Sequence, residues 1–424
     1  MMTWFNDLNL KIKLLVFFLM VGLIPFISAT SIAYISSDVA LETQITDQLA
    51  GIREIKKRQL EVYFTERRGD MNIAAETAQS FWLQSSSALR GIQAQKRIQL
   101  ENYFQKSFKV LADTKVNLRF ISAVKEFSEV FAKGLQSPEY KTLLTTREKG
   151  LKGFRDNMGY NDVYLIDAEG NVIYSVNKES DLGQNVKQGN LRDTGLGRVF
   201  AKARYETAVE DFSFYEPNKG FAAFMSTPLF DESGAYLGSV VFELPINEIN
   251  SIVQERTGLP STAESFLVGK SEDGKIGYRS DRVIKEGKLG EEKSSAVREA
   301  VTSGKSGRNI VLGSTGKWEM SIYEPLNVPG LSWGIITSVT VEEIVSPKAE
   351  GETEDYFTNY KKSYGYRDVL FVANDGSVFY SVGHQADYET NAFTGQFKNT
   401  GMARAAKKAL DSRGFAFEDF DRYA

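Results

Sequence analysis

The chain has 424 residues, of which 42% are hydrophobic and 25% charged, and this is ordinary for a globular protein of roughly two to four domains. The net charge of −4 gives no indication of a nucleic-acid partner, because binding to phosphates requires clustered lysine and arginine. There is no cysteine and only one histidine, His384, which excludes disulfides, thiolate metal sites and cysteine nucleophiles and disfavours histidine-based catalysis. No glycine-rich phosphate loop or paired-acid motif is present. We therefore expect no enzyme and no bound cofactor.

The amino terminus carries an uncharged run of 22 residues, Leu14 to Ile35, with the sequence LLVFFLMVGLIPFISATSIAYI. At about 1.5 Å per residue, a helix of this length spans a hydrocarbon core of about 30 Å. Lys11 and Lys13 precede the run and Asp38 follows it, so the positive-inside bias places the amino terminus in the cytoplasm. We predict a cytoplasmic stub and an uncleaved signal anchor over residues 1–37, with a cleaved signal peptide as the alternative.

Residues 38–152 are predicted to form long helices, because proline and glycine are sparse and apolar residues recur every three or four positions. One segment of this region occurs twice. LAGIREIKKRQLEVYF at 49–64 returns forty residues later as LRGIQAQKRIQLENYF, with nine of sixteen positions identical. Its apolar residues fall near one helical face, which predicts bundle or coiled-coil packing and a homodimer formed through the long helices.

Near Met158 the periodicity changes from helical to alternating, which predicts a sheet unit over residues 153–257. The sequence DVYLIDAEGNVIYSV is typical of a β-hairpin with Gly170 at its turn. A polar loop and the helical segment DTGLGRVFAKA follow, and then come three strands, EDFSFYEP, GFAAFMSTPLF and YLGSVVFELPI. Two strands, a helical insertion and three more strands describe an antiparallel sheet with helices on one side, a PAS-like α+β unit.

The same pattern returns twice along the chain. A second, smaller unit over residues 258–347 begins with the hairpin AESFLVGKSEDGKIGYRS. The first hairpin, GYNDVYLIDAEGNVIYSV, is repeated at 365–382 as GYRDVLFVANDGSVFYSV, with nine of eighteen positions identical. Residues 348–424 lack counterparts of the last two strands of the first unit, so we expect an incomplete module and a chain that is a fragment of a longer protein. His384 directly follows a strand of this copy and is interpreted as a solvated loop residue.

The order of these segments resembles the double Cache (dCache) sensor region of bacterial transmembrane receptors. The resemblance covers roughly residues 158–343 and rests on DVYLIDAEGNVIYSV, DFSFYEPNKG, MSTPLFDESGAYLGSVVFELPINEIN, ESFLVGKSEDGKIGYRSD and YEPLNVPGLSWGIITSVTVEEI. The segment LNLKIKLLVFFLMVGLIP, followed by LAGIREIKKRQLEVYFTERRGDM, resembles the start of methyl-accepting chemotaxis proteins. The fold class is therefore expected to be α+β: a transmembrane helix, long helices, and then tandem PAS-like (Cache) antiparallel sheets with flanking helices.

The resemblance implies a small-molecule site in the membrane-distal unit, between its sheet and the covering loops and helix. In the family, a carboxylate at the end of the last strand of that unit often accepts the ammonium group of an amino-acid ligand, and the matching position is Glu243. The family's amino-acid sensors usually carry aspartate there, and their arginine-plus-aromatic clamp is not evident. The ligand therefore stays open between an amine, an amino acid and an organic acid.

Strand alternation adds further lining residues in the same unit. Asp211, Ser213 and Tyr215 are predicted to share one face of their strand. For every aromatic residue the alternative is plain core packing, and for Asp211 it is a hydrogen bond at a strand end. The candidate ligand-binding residues are Tyr174, Asp211, Tyr215, Phe224, Ser226 and Glu243, and no catalytic or metal-binding residue is expected.

These features predict an extracytoplasmic small-molecule receptor, the sensory region of a chemotaxis transducer. We expect it in the cell inner membrane, held by one amino-terminal span, with the sensor region in the periplasm. One alternative is the same sensor preceding a histidine kinase or diguanylate cyclase, because the fold does not define the output. Another is a non-signalling structural or adhesion module that uses the helical repeat for dimer contact. The expected partners are a small-molecule ligand, the membrane and a second copy of the chain, with no nucleic acid.

Overall fold

The computed structural model describes residues 7–313, 315–419 and 421, and it divides into two compact units, Met1–Thr77 and Ala78–Ala424. In the first unit the described structure is the amino-terminal part of helix α1, Leu10–Lys115. This helix contains an 18-residue window with a mean hydropathy of 2.4, none of which is buried. It is long and apolar enough to cross a membrane, and within the described residues it is the one helix that meets this criterion.

Two shorter helices follow α1 in the second unit. Helix α2, Leu118–Phe131, begins after Asn117, whose side chain accepts a hydrogen bond from the Arg119 amide at 2.9 Å. Helix α3, Pro138–Met158, begins after Ser137 and ends at Gly159, whose left-handed φ of 74° stops the helix. Residues 38–152 are thus helical apart from two short connections, as the spacing of their apolar residues predicts.

The first sheet has five antiparallel strands in the order β2-β1-β5-β4-β3. Between β2 and β3 the chain forms helix α4, Gly195–Lys202, as DTGLGRVFAKA predicts, and helix α5, Ile246–Gln254, follows β5. We call the five strands with α4 the first module. The strands are β1 (Asp162–Asp167), β2 (Val172–Ser175), β3 (Ala208–Tyr215), β4 (Gly220–Phe230) and β5 (Tyr236–Glu243).

This sheet is covered on both faces. One face packs against α1, α2 and α3 through residues that include Val163 and Phe242. The opposite face, here called the α4 face, packs against α4 and the loop before it through residues that include Tyr164 and Val241. Every residue of β1 and β2 is buried, so the polar side chains of these strands lie out of water and need partners within the fold.

The second sheet repeats the first, with the strand order β7-β6-β10-β9-β8. Helix α6, Ala296–Thr302, takes the place of α4, and helix α7, Val341–Val345, follows β10. The registers agree, because Asp162 lies opposite Glu243 in the first sheet and Glu264 lies opposite Ser338 in the second. We call this sheet with α6 the second module. Its strands are β6 (Glu264–Lys270), β7 (Ile276–Tyr278), β8 (Gly307–Leu312), β9 (Trp318–Pro325) and β10 (Trp333–Thr340).

A third hairpin follows the second module. Helix α8, Tyr356–Tyr364, leads into β11 (Leu370–Val372) and β12 (Val378–Ser381), and helix α9 spans Gly401–Ser412. The pairing of β11 with β12 copies that of β1 with β2, including a β-bulge at the equivalent position. The repeated sequence therefore forms a repeated hairpin. Residues 420 and 422–424, which belong to the expected incomplete module, lie outside the described residues.

Within the second unit, α1 contacts both modules and the linker between them. Phe104 packs edge-on against Trp333 of the second sheet, with ring centroids 5.6 Å apart. The ammonium group of Lys96 donates to the carbonyl oxygen of Val253 (2.7 Å) and to the hydroxyl oxygen of Ser265 (3.3 Å). One long helix followed by tandem antiparallel sheets with flanking helices confirms the predicted α+β fold class.

Candidate ligand-binding site

The carboxyl end of β5 carries a buried carboxylate on the α4 face. Glu243 is 3% exposed. Its Oε2 accepts a hydrogen bond from the Tyr164 hydroxyl (3.1 Å), and its Oε1 accepts from Nδ2 of Asn218 (2.9 Å) and of Asn161 (3.4 Å). All three donors are neutral. Glu243 is therefore a buried carboxylate that accepts three hydrogen bonds and has no positively charged donor among the described residues.

The loop after β2 adds a second buried carboxylate, Asp181, which is 0% exposed. Its Oδ2 accepts a hydrogen bond from the Tyr215 hydroxyl at 2.7 Å. Its Oδ1 is buried and has no hydrogen-bond partner among the described residues. A buried acceptor of this kind costs free energy until a donor reaches it, and the cost is larger for an ionised group. A donor from outside the chain would be stabilised at this oxygen.

We call Glu243, Asp181 and the tyrosines that donate to them, Tyr164 and Tyr215, the acidic cluster. Its two carboxylates have no positively charged hydrogen-bond donor among the described residues. Burial, with a contribution from the charge of Glu179, raises the pKa of Glu243 to about 7. Burial also raises the pKa of Asp181, although the hydrogen bond from the Tyr215 hydroxyl opposes this. Within the described residues no group of three or more carboxylates or histidines is placed to hold a metal ion. The arrangement suits a cation with hydrogen-bond donors.

A third buried carboxylate in this region, Asp162, has a different role. Its Oδ1 accepts from the backbone amides of Val163 (2.7 Å), Val176 (2.9 Å) and Asn177 (3.2 Å), and so it fixes the chain as it leaves β2. The same device occurs in the other copies. Glu264 accepts from two amides beyond β7, and Asp368 accepts from the Gly383 amide beyond β12. Because the device occurs in all three copies, we interpret Asp162 as a structural residue and not as part of the candidate site.

Four of the six residues proposed from the sequence lie together on the α4 face: Tyr215, Phe224, Ser226 and Glu243. The Phe224 ring lies 5.1 Å from that of Tyr215 and 6.1 Å from that of Tyr164. The Ser226 hydroxyl is buried and has no hydrogen-bond partner among the described residues. Tyr215, Phe224 and Ser226 are fully buried, and the two aromatic rings belong to the hydrophobic core of the α4 face.

The other two proposed residues lie elsewhere. Tyr174 faces the helices, with its ring 5.0 Å from that of Phe127. The carboxylate of Asp211 accepts from Arg279 Nε and Trp333 Nε1, both at 2.8 Å, in the second module. Alternation predicts that Asp211 shares a face with Ser213 and Tyr215. The structure contradicts this, because a β-bulge between Glu210 and Ser213 shifts the register. The structure therefore does not bring Tyr174 or Asp211 to the acidic cluster.

His384 was expected to be a solvated loop residue, and it does lie in a loop with its side chain about half exposed. It is not free of partners, however, because its Nε2 lies 2.7 Å from Oε1 of Glu342.

Sequence reasoning missed Tyr164, Asp181, Asn161 and Asn218. One of them left a signal in the repeat. YSVNKESD, which ends in Asp181, returns as YSVGHQAD, which ends in Asp387, so the repeat continues five residues beyond the hairpin. Asp181 lies in an irregular loop where no periodicity marks a buried side chain, and the asparagines approach Glu243 from separate connections. Their convergence on Glu243 depends on the tertiary fold.

No protein-family model and no curated protein matches this sequence. Solved structures similar to the chain include the extracellular domain of the candidate histidine kinase rpHK1S-Z16, with a TM-score of 0.43, 15% identity, and coverage of 63% of this chain and 98% of that one. The ligand-binding domain of the Campylobacter jejuni chemoreceptor Tlp3 in complex with 4-methylisoleucine has a TM-score of 0.41, 12% identity, and coverage of 65% and 96%. The sensor domain of the V. cholerae histidine kinase DctB has a TM-score of 0.40, 13% identity, and coverage of 62% and 98%.

Proposed function

We propose that this chain is the extracytoplasmic sensing region of a membrane-anchored signalling receptor, and that it binds a small cationic molecule on the α4 face of the first module. The observation that carries the proposal is the buried Oδ1 of Asp181, which lacks a partner within the described residues and lies in a cluster with buried Glu243. A ligand that supplies N–H donors and a positive charge would remove both deficits.

A primary ammonium group fits this chemistry best. It carries three donors and one compact positive charge. Asp181 and Glu243 would share that charge, and the Ser226 hydroxyl and the Phe224 ring would contact the rest of the ligand. Of the classes that the sequence left open, amines and amino acids therefore rank above organic acids, because a lone carboxylate would be repelled here.

Transmission would pass through the sheet to the helices. Phe242 follows Val241 in β5, directly before Glu243, and points to the opposite face, where its ring stacks on Tyr160 at 4.4 Å. A ligand that binds better to one position of Glu243 would favour one packing arrangement of Phe242 against Tyr160 over another. The shift between the two arrangements cannot exceed the difference in the ligand's affinity for them. Helix α1 touches the same core and is continuous with the apolar segment.

The exposed apolar stripe of α1 suits contact with a second copy of the chain, as the repeat predicts. Its members recur at helical spacing beyond the apolar segment and are each more than half exposed: Leu41, Leu49, Ile52, Leu60 and Tyr63. The proposed output is chemotaxis signalling through methyl-accepting domains, located at the cell inner membrane. The same sensor attached to a histidine kinase or diguanylate cyclase is the second candidate, because the sensory fold serves each of these outputs.

The test is a binding screen of the full chain in detergent micelles against primary amines, amino acids and organic acids. We expect one or more ammonium compounds to raise the melting temperature, and calorimetry to give a Kd for them. Glu243→Gln and Asp181→Asn should each weaken that binding by about tenfold or more, since they remove a charge-assisted hydrogen bond.

Two controls make the screen decisive. Glu232→Gln removes an exposed carboxylate from the turn between β4 and β5 of the same module, and it should leave the affinity unchanged. For each amine, the alcohol of the same carbon skeleton should not bind. Stabilisation by no ammonium compound, or an affinity that neither Glu243→Gln nor Asp181→Asn reduces, would overturn the proposal.

A further inference from the structure

The second module has a partly open cavity of about 190 Å³ on the face covered by α6, which is equivalent to the α4 face of the first module. Three cationic side chains line it: Arg282, Lys293 and Arg298. Among the described residues Glu319 is the one lining carboxylate, and it forms a buried ion pair with Lys285. The charge of Glu319 is thereby compensated, and the lining is net positive.

Arg298 is a half-buried cation of this cavity and has no ionic partner among the described residues. Arg282 is compensated, because its Nη2 lies 2.5 Å from Oε1 of Glu264. Arg298 instead donates to neutral oxygens, the Tyr278 hydroxyl at 2.9 Å and the Ser295 hydroxyl at 3.3 Å. Its Nε is buried and makes no hydrogen bond within the described chain. Burial lowers the pKa of Arg298, and the positive charge of Arg282 adds to this effect.

The guanidinium group of Arg298 is held in place by aromatic rings. Its central carbon lies 5.1 Å from the ring centroid of Tyr278 and 5.8 Å from that of Phe266. The Ser338 hydroxyl also lines the cavity. Ser338 is 2% exposed, and its Oγ has no hydrogen-bond partner within the described residues. The cavity therefore presents a fixed cation and a free hydroxyl to whatever enters it.

We propose that this cavity is a second ligand site, which binds a small organic monocarboxylate. The carboxylate would bind Arg298 and Ser338, and the hydrocarbon part would pack against the apolar lining of Phe266, Val297 and Ile336. The volume of this cavity is smaller than the roughly 300–1,000 Å³ of pockets that bind drug-sized ligands. The hydrocarbon part of the ligand must therefore be short. An inorganic oxyanion would leave the apolar lining unused, and a second carboxylate would be buried against it.

The experiment titrates the full chain in detergent micelles with straight-chain monocarboxylates from acetate to hexanoate, using calorimetry and thermal shift. We expect at least one of them to bind and to raise the melting temperature. Arg298→Gln should weaken that binding by about tenfold or more, and Ser338→Ala by a few-fold. Arg298→Lys should recover part of the affinity, because it restores the charge without the planar fork.

Arg298 donates only to neutral hydroxyls and the Ser338 hydroxyl has no partner within the described residues, so neither Arg298→Gln nor Ser338→Ala leaves another charged group without its partner. Both variants should therefore fold, and their melting temperatures check this. Arg308→Gln removes an exposed arginine from β8 of the same sheet and should leave monocarboxylate affinity unchanged. Alcohols of matched length should not bind. The proposal is overturned if no monocarboxylate binds, if Arg298→Gln and Ser338→Ala bind as well as the unaltered chain, or if inorganic phosphate binds as tightly as the best monocarboxylate. Loss of monocarboxylate binding in Glu243→Gln would place the anion in the first module instead.

Discussion

The first and second modules share a strand order and a register, but opposite charges occupy the same place on them. In the first module, Glu243 lies opposite Asp162 and joins buried Asp181 in an acidic cluster. In the second, the residue opposite Glu264 is Ser338, and Arg282 and Arg298 line the cavity on the equivalent face. The structural carboxylates are shared by both modules, because Asp162 and Glu264 each accept hydrogen bonds from backbone amides beyond the second strand.

On the two proposals above, the ligand class of each module depends on a few side chains: Glu243 and Asp181 in the first module, and Arg298 on α6 and Ser338 in β10 in the second. The sheet, its caps and its hydrophobic cores are common to both modules and carry no ligand preference.

The buried pair of Asp211 and Arg279 links the two modules, and Asp211 also accepts a hydrogen bond from the Trp333 indole. Asp211→Ala would leave Arg279, which is 3% exposed, without its counter-charge. We expect a loss of about 3–5 kcal/mol in the free energy of unfolding, because removing one partner of a buried pair strands the other. Denaturant unfolding monitored by circular dichroism measures it. Asp193→Ala, which removes an exposed ion pair in the first module, should have no measurable effect. Equal stability of Asp211→Ala and the unaltered chain would show that the modules are not joined here.

The shared framework can be tested at Asp162. Asp162→Ala removes the acceptor of three backbone amides at the exit of β2, and we expect it to cost about 2–3 kcal/mol of stability. Glu243→Gln, at the facing position, should cost little or nothing without ligand, since it replaces an uncompensated buried charge by an amide. Thermal unfolding of both variants checks this contrast, and the reverse order of stabilities would contradict the division of roles.

The pH dependence of stability should differ between Glu243→Gln and the unaltered chain. Burial raises the pKa of Glu243 from 4.5 to about 7, so between these values the folded state binds more protons than the unfolded state. The stability contributed by protonated Glu243 is fully present below pH about 4.5 and is lost as the pH rises through about 7. Over this window the unaltered chain should lose on the order of 2 kcal/mol more than Glu243→Gln. Affinity for an ammonium ligand should rise over the same window. Parallel stability profiles would refute a raised pKa at Glu243.

The smallest effect is expected at Tyr174. Its hydroxyl is buried without a hydrogen-bond partner in the described structure, and its ring packs on Phe127, away from the acidic cluster. Tyr174→Phe should be neutral or stabilise the chain by up to about 1 kcal/mol, and it should not change amine affinity. Calorimetry with the ligand from the screen measures the affinity. A tenfold loss of affinity in Tyr174→Phe would contradict this prediction and show that Tyr174 contributes to ligand binding.

Much of the fold follows from the sequence, because its signals are local. The alternation in DVYLIDAEGNVIYSV and its repeat specify the hairpins, and the uncharged stretch from Leu14 to Ile35 specifies a long apolar helix segment. Glu243 was found through family resemblance, and the structure places it in a buried cluster. Alternation places Asp211 on the face of Ser213 and Tyr215, and this prediction fails because the β-bulge between Glu210 and Ser213 shifts the register. Asp181 and Arg298 were missed because their burial arises from loops and a short helix that close over the sheet only in the folded chain.

The most direct test of the central claim, that the two modules bind ligands of opposite charge, uses one matched pair of probes. Butylamine and butyrate have the same carbon skeleton and opposite charges. Calorimetric titration of both probes into the unaltered chain, Glu243→Gln and Arg298→Gln should show a double dissociation. Glu243→Gln should lose butylamine and keep butyrate, and Arg298→Gln should lose butyrate and keep butylamine. If either substitution weakens both probes equally, or neither probe, the two modules do not differ in ligand charge and the account is wrong.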